Sequence, residues 1–171
     1  MKYAAIALMC LLSAAIVMAG HPMGEAKSNP GFDKMKTLVG TWSGKDSEGK
    51  AVMASYKLVS AGTSIMEKLD MNETPEAMVT MYTANGEKLM MTHYCSMGNQ
   101  PRMKTDKVAA DASKMTFTMF DATNLASAKD AHMTKLIVMF KDADHFSQEW
   151  SMTQDGKVAH VAKFDFERSK Q

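Results

Sequence analysis

Cysteine is scarce in this chain, and its scarcity excludes a disulfide framework. The sequence has two cysteines: Cys10 lies inside an apolar N-terminal run, and Cys95 lies far from it. If that run is removed as a signal peptide, only Cys95 remains, and one cysteine cannot form an internal disulfide. The folded chain must therefore be held by an apolar core, for which a domain of about 150 residues is long enough.

An excess of charge of either sign is also missing. The chain has 20 lysines and arginines against 19 aspartates and glutamates, and removing residues 1–19 takes away one lysine and leaves 19 of each. Proteins that bind nucleic acid or anionic membranes usually carry a basic surface. We therefore expect no nucleic-acid partner.

The motifs of several common enzyme classes are absent as well. The sequence has no Gly-x-Ser-x-Gly, no Walker loop, no His-Glu-x-x-His and no Cys-x-x-Cys. What remains for catalysis is Cys95, with His93 or His132 as a base that would lower the pKa of its thiol. A free buried cysteine is more often inert packing, so a binding protein is the leading hypothesis and a Cys/His enzyme an alternative.

Residues 1–19 are predicted to be a secretory signal peptide. A short basic start precedes an apolar run that ends in small residues before Gly20, and no basic stop-transfer cluster follows. We expect a secreted or periplasmic protein with no stable membrane anchor after cleavage. Residues 20–30 are predicted to be a flexible lead, and residues 31–169 a single domain.

The rest of the chain is predicted to be almost entirely β. Asn29 and Pro30 supply an N-cap and a first helical residue for one short amphipathic helix, which ends before Gly40. Beyond Gly40 the hydrophobic period falls to two, with turn residues between the segments. The predicted strands are 41–45, 51–59, 64–70, 77–83, 88–97, 102–108, 114–121, 132–140, 145–152 and 158–167.

About ten short strands joined mostly by tight turns hide their edges best by closing on themselves. The sequence therefore predicts an all-β fold: a single up-and-down antiparallel β-barrel of about 8–10 strands with a short N-terminal helix.

Two resemblances accompany this pattern. Gly40-Thr41-Trp42, which opens the first strand after the helix, is similar to the Gly-x-Trp signature of the lipocalin-like (calycin) barrels. That resemblance implies that Arg168, near the end of the last strand, stacks on Trp42. The chain also resembles a set of uncharacterised secreted bacterial proteins related to the DUF1579 group, which has no established activity to carry over. The segments that carry this second resemblance are MVTMY at 78–82, THYC at 92–95, GNQPR at 98–102, DATNL at 121–125 and HM at 132–133.

Strand alternation predicts which polar side chains face the barrel interior. On the strand at 88–97, His93 and Cys95 share the more apolar face with Met91. The same parity turns His132 and His160 inward on their own strands. Trp150 and Glu67 are expected to join them, whereas His145 has the opposite parity from its apolar neighbours and is expected on the surface.

The turn after this strand is richer in hydrogen-bonding side chains than a hairpin requires. Asn99, Gln100 and Arg102 could hold a carboxylate or other polar head at the barrel mouth, with Arg102 making a charge-assisted contact and Asn124 facing them. Equally, they could fasten the turn to neighbouring loops.

The leading hypothesis is a barrel that binds a small apolar or amphipathic molecule in its interior. Flexible methionines suit an irregular apolar ligand, although they also fill cores. The predicted wall is Met91, Met115, Phe117, Met119, Leu136, Val138, Trp150 and Phe164. The predicted ligand-binding residues are Glu67, Met91, His93, Cys95, Asn99, Gln100, Arg102, Asn124, His132 and Trp150.

A haem or metal protein is the second hypothesis. Imidazole nitrogen and cysteine or methionine sulfur suit copper, zinc and haem iron. The candidate ligands are His93, His132 and His160. The leading hypothesis needs no cofactor, and haem or copper belongs to this alternative.

Overall fold

Residues 28–72 and 76–170 are described by the computed structural model of the chain, so the predicted signal peptide lies outside the described residues. This part contains one α-helix, one 3-10 turn (Ser60–Gly62) and ten strands. The helix α1 is Pro30–Lys36. The strands are β1 Gly40–Asp46, β2 Ala51–Val59, β3 Ser64–Asp70, β4 Met78–Asn85, β5 Lys88–Tyr94, β6 Gln100–Lys104, β7 Lys114–Thr123, β8 His132–Phe140, β9 His145–Gln154 and β10 Lys157–Arg168.

The ten strands form a closed barrel in which every strand pairs with its neighbours in the sequence. All pairs are antiparallel, and β10 pairs with β1 to close the sheet, with Trp42 opposite Arg168 and Asp46 opposite Phe164. The predicted up-and-down antiparallel barrel is confirmed, and the fold is consistent with the lipocalin and calycin barrels. Closure leaves no sheet edge exposed.

The helix closes one end of the barrel. The Asn29 side chain caps α1 by accepting a hydrogen bond from the Phe32 amide (2.8 Å), and its Nδ2 donates to the carbonyls of Gly86 and Lys88 at the β4–β5 turn. Asn29 is buried although it falls at the end of the predicted lead, so the folded part begins there. Within the described ranges, no helix is long and apolar enough to cross a membrane.

An aromatic cluster fills the barrel next to the helix. The ring of Phe146 packs edge-on against Trp42 (4.7 Å between centroids) and Tyr56 (5.8 Å), and stacks on Phe166 at 4.7 Å. All four side chains are at most 3% exposed. Edge-to-face and stacked pairs add to the free energy gained by burial, so this half of the interior is packed core.

Arg168 closes the barrel over this cluster. Its guanidinium lies 4.1 Å from the ring centroid of Trp42, which confirms the predicted stacking. The same guanidinium donates to the carbonyls of Thr37, Val39 and Ala143, at 2.9 to 3.2 Å. One side chain thus joins the link after α1, the β8–β9 turn and the last strand.

Arg168→Ala is expected to lower the free energy of unfolding by about 2–3 kcal/mol, because it removes several charge-assisted hydrogen bonds and a cation–π contact. Arg168→Lys should recover only part of that, since an ammonium cannot reproduce the planar fork. The control is Lys170→Ala, at an exposed position near the same terminus. Urea unfolding measures all three, and equal losses for Arg168→Ala and Lys170→Ala would contradict the prediction.

Three irregularities interrupt the strand register. The extra residues are Phe120 on β7, opposite Arg102 and Met103, Thr134 on β8, and Ala159 on β10. A bulge adds one residue to a strand and so reverses which face the following side chains occupy. The bulge on β8 changes the site described next.

Candidate functional site

A cavity of about 180 Å³ lies at the end of the barrel opposite α1. It lies below the β3–β4 and β5–β6 connections, and most of its lining is apolar. The lining residues are Leu69, Met71, Met78, His93, Cys95, Ser96, Met97, Met133, Trp150, Met152, His160, Ala162 and Phe164. Five of them are methionines, whose unbranched thioethers let the wall adapt to different shapes.

His93 is the most deeply buried polar side chain of the lining, and it is 2% exposed. Its Nδ1 hydrogen bonds to the Thr80 hydroxyl on β4 at 2.9 Å, while its Nε2 has no partner among the described residues. The ring packs against Trp150 with 4.5 Å between centroids. Burial lowers the pKa of His93 to about 4, so the imidazole is neutral at ordinary pH.

A fully buried carboxylate lies deeper in the barrel. Glu67 Oε1 accepts hydrogen bonds from the Tyr56 hydroxyl (2.8 Å) and from Gln148 Nε2 (2.7 Å), and Oε2 accepts one from the Tyr82 hydroxyl (2.6 Å). Loss of solvent raises the pKa of Glu67, and the three donors oppose that rise. Desolvation also raises the pKa of each tyrosine well above its ordinary value, so both phenols stay protonated.

This carboxylate is connected to the cavity wall through Gln148. Trp150 Nε1 donates to Gln148 Oε1 at 3.0 Å, and Gln148 donates to Glu67. The Glu67 network thus holds the ring of Trp150, and the bond to Thr80 holds the ring of His93. Both lining rings therefore have a fixed orientation.

The structure does not bring the three candidate histidines together. His160 lines the cavity with His93, but it is exposed at the rim. His132 lies outside the lining, where its Nδ1 is 2.6 Å from the Asp130 carbonyl. The register shift between Met133 and Lys135 explains this correction, because it places Met133 in the position that unbroken parity assigned to His132.

A metal ion or haem iron would therefore find one buried unpartnered imidazole nitrogen, on His93, beside thioether and thiol sulfurs. Within residues 28–72 and 76–170, no three His, Cys, Asp or Glu side chains lie together as a metal-ligand set. The expected surface position of His145 is confirmed, since it is exposed and pairs with Asp142 at 2.8 Å.

The polar residues of the β5–β6 turn fasten loops and do not line the cavity. Asn99 Nδ2 donates to the Ala131 carbonyl (2.9 Å), Asn124 Nδ2 donates to the Gly98 carbonyl (2.6 Å), and Gln100 accepts from Thr123 (2.7 Å). Arg102 lies on the outer face in a two-pronged ion pair with Asp121. Of the two interpretations left open for this turn, the geometry favours the fastening of neighbouring loops.

Most of the predicted wall belongs to the packed core instead of the cavity. Met91, Met115, Phe117, Leu136 and Val138 are at most 2% exposed and lie outside the lining, and Met119 does too. Glu67 is equally interior but deeper than the cavity. Trp150, Phe164, His93 and Cys95 do line it. Parity gave the correct face for this group, but it contains no information about height along the barrel axis.

Several lining residues were not assigned to a site from the sequence: Leu69, Met71, Met78, Ser96, Met97, Met133, Met152 and Ala162. The available signal was positional, because most of them lie within a few residues of connections at one end of the barrel. A larger depression of about 370 Å³ outside the barrel is bordered by Lys141 and Asp165, whose charges pair with each other at 2.6 Å.

Fold and cavity together define a class: a lipocalin-like antiparallel barrel with an apolar end pocket. No family model and no curated protein matches the chain. Several solved structures share the fold, among them the following two. Rv2717c from M. tuberculosis has a TM-score of 0.57 at 10% identity, over 82% of this chain and 98% of that one. A Nostoc punctiforme protein of unknown function from the DUF3598 family has a TM-score of 0.55 at 10% identity, over 79% of this chain. The chain spans about half (48%) of that protein's length, and at these identities the likeness shows the fold alone.

Proposed function

We propose that the protein binds a small, largely apolar molecule in the end cavity. The observation that carries this proposal is a mostly apolar lining, rich in thioethers, around one buried imidazole nitrogen without a partner. Well-packed interiors leave few voids, and buried polar atoms nearly always have partners. A cavity that combines both exceptions is better explained by an occupant than by packing.

The volume of the cavity limits the size of the molecule that it can hold. An engineered apolar cavity of about 150 Å³ in another protein holds benzene, whereas pockets for drug-sized ligands measure roughly 300–1,000 Å³. At about 180 Å³, this cavity holds one small ring or a short chain. A longer amphipathic molecule would project past the rim, where His160 and Met97 are exposed.

Toluene tests the proposal because it is apolar and of suitable size. At about ten times its Kd, it should stabilise the fold by about 1.4 kcal/mol, which for a chain of this length raises Tm by roughly 3–5 °C. Ala162→Phe, which fills the cavity, should abolish this rise. Ala84→Phe makes the same replacement at an exposed position on β4 and should keep it. No response in the wild-type protein, or equal responses in both variants, would contradict the proposal.

A haem or metal protein is the second candidate, and only the free Nε2 of His93 favours it. When bound, such a group would supply Lewis-acid or redox chemistry, and His93 would be its ligand from this chain. Titration with haemin and with copper would test it. A Soret shift or stoichiometric metal uptake that disappears in His93→Leu supports this candidate, and no change in either titration removes it.

We also propose a biological setting: a secreted or periplasmic protein related to the DUF1579 group, without a stable membrane anchor after signal cleavage and without a nucleic-acid partner. Residues 1–19 support secretion by their composition. Cell fractionation of the native host, with mass spectrometry of the N-terminus, tests it. A chain that starts at Met1 in the cytoplasmic fraction would contradict it.

A further inference from the structure

The methionines of the cavity wall differ from those of the packed core in their access to solvent. The most buried methionines of the described chain, all at most 2% exposed and all outside the cavity, are Met35, Met91, Met103 and Met115. The methionines that line the cavity are all partly or largely exposed: Met71, Met78, Met97, Met133 and Met152. A dissolved reagent can therefore reach the thioethers of the wall, whereas those of the core are shielded.

Met97 is the most accessible thioether of the wall. It is 42% exposed, and among the described methionines only Met53, at 40%, is comparable. Met53 lies on the outer face of β2, where its neighbours Val52 and Ala54 point into the core, and it does not line the cavity. The chain thus offers two methionines of nearly equal exposure, of which only Met97 borders the cavity.

The turn between β5 and β6 holds Met97 at the mouth of the cavity. The Gly98 amide donates to the Cys95 carbonyl (2.9 Å), and the Cys95 amide donates to the Asn99 carbonyl (3.2 Å). Asn124 Nδ2 fixes the turn from outside by donating to the Gly98 carbonyl at 2.6 Å. Because the backbone on both sides of Met97 is fixed, only its side chain can move away from the opening.

Oxidation would change what this side chain offers to an occupant. A thioether is a weak acceptor that behaves as an apolar group, whereas methionine sulfoxide is polar. Turned outward, the sulfoxide of Met97 leaves the occupant exposed to water. Turned inward, it places a polar oxygen without a partner against an apolar molecule. Both positions disfavour an apolar occupant.

A hydroxyl group already lies beside a second thioether of the mouth. Ser96 Oγ donates toward Met78 Sδ at 3.7 Å, across the opening from the turn to β4. The oxygen of a sulfoxide is a stronger acceptor than a thioether sulfur. Ser96 would therefore stabilise an oxidised Met78 and extend the polar rim that begins at Met97.

We propose that Met97 is an oxidation site that controls the binding of apolar molecules in the end cavity. This inference rests on the proposed function and adds its regulation. The oxidant is a peroxide. The sulfur of Met97 attacks one peroxide oxygen, an S–O bond forms, the O–O bond breaks, and the other oxygen leaves as water after proton transfer. The sulfur loses two electrons and the peroxide gains them.

Two matched substitutions test the effect of a polar group without an oxidant. Met97→Gln replaces the thioether with a polar side chain of similar length, and Met53→Gln makes the same change outside the cavity. Loss of about 50 Å² of apolar cover should weaken toluene binding by Met97→Gln about tenfold. Met53→Gln should bind toluene as the wild-type protein does. Titration calorimetry at pH 7 measures the dissociation constants.

Hydrogen peroxide tests the modification itself. The dose is raised until peptide mass spectrometry finds one added oxygen on Met97, and toluene binding is then measured again. The wild-type protein and Met53→Leu should both lose about tenfold in affinity, whereas Met97→Leu, which stays apolar and cannot be oxidised, should keep its affinity. Cys95→Ala should behave as the wild-type protein does, because the thiol is not the site. Treatment with methionine sulfoxide reductases for both epimers should restore binding.

The outcomes separate this inference from the proposed function. If the untreated protein does not bind toluene, the proposed function fails and the inference fails with it. If toluene binds equally well before and after Met97 is oxidised, the cavity binds apolar molecules and only the inference is overturned. It is also overturned if Met97→Leu loses as much affinity as Met53→Leu, or if Met97 stays unmodified at a dose that oxidises Met53.

Discussion

Glu67→Leu is expected to lower the free energy of unfolding by about 3 kcal/mol. The substitution leaves the hydroxyls of Tyr56 and Tyr82 without their acceptor in a fully buried site, and the Gln148 amide keeps only the Tyr56 oxygen as acceptor. Each orphaned buried donor costs about 1–3 kcal/mol, and the relief of removing a buried carboxylate offsets part of the sum. The net effect remains a large loss because two buried hydroxyls lose their acceptor and Gln148 loses one of its two.

Glu67→Gln gives a graded comparison. Glutamine keeps one acceptor oxygen but directs amide hydrogens toward hydroxyls that already donate. The free energy of unfolding should therefore fall by about half as much as in Glu67→Leu. Lys68→Leu makes the leucine replacement on the adjacent, exposed position of β3 and should change stability by less than about 0.5 kcal/mol. Urea unfolding at pH 7 measures the series. A Glu67→Leu loss no larger than that of Lys68→Leu would contradict the role assigned to the network.

His93 should make the barrel sensitive to acid. Its pKa is about 4 in the folded chain against an ordinary value of 6.5, so between these two values the unfolded chain binds a proton that the folded chain does not. The contribution of His93 is complete above pH 6.5 and is lost as the pH falls through this window toward 4. Over the whole window the loss is about 3 kcal/mol.

His93→Leu should remove this acid-induced loss, so the variant should be less pH-dependent than the wild-type protein between pH 6.5 and 4. Met78→Leu, which changes the same wall without a titrating group, should keep the wild-type profile. The measurement is the free energy of unfolding in urea at several pH values. If the wild-type and His93→Leu profiles are parallel, His93 does not remain neutral in the folded chain.

Glu67 changes the pH dependence of stability in the opposite direction from His93, over part of the same pH range. Burial raises its pKa above the ordinary value of 4.5, so the folded chain holds its proton more tightly than the unfolded chain. Its contribution to stability therefore decreases as the pH rises from about 4.5 toward the raised value. The His93→Leu variant should show this opposing trend without the contribution of His93.

The barrel itself could be predicted from the sequence because its signals are local. Period-two segments and turn residues occur throughout the chain, and ten antiparallel neighbours need no long crossover. The Trp42 and Arg168 contact was predicted through the resemblance to the lipocalin-like barrels, and pairing of the first and last strands places the two residues side by side. The errors in strand ends are small: β6 ends at Lys104 where 108 was predicted.

The site was predictable only where strands are regular. His93, Cys95, His160 and Phe164 line the cavity as parity predicted, but the bulge on β8 removed His132 from the wall. A bulge of one residue has no clear signature in this sequence. Nor does parity distinguish Met91, deep in the packed core, from Met97 at the rim, since both alternate to the same side.

The pairing of Trp42 with Arg168 also constrains how the chain is made. The first strand and the last are neighbours in the sheet although nearly the whole domain separates them in the sequence. During synthesis β1 therefore waits, with one edge unpaired, until the ribosome has released the final residues. Such distant pairing slows folding, and an unpaired edge can recruit other chains. A truncation that removes the residues from Phe164 onward would take away every partner of β1 on β10 and leave that edge unpaired, although nearly every strand would still be present.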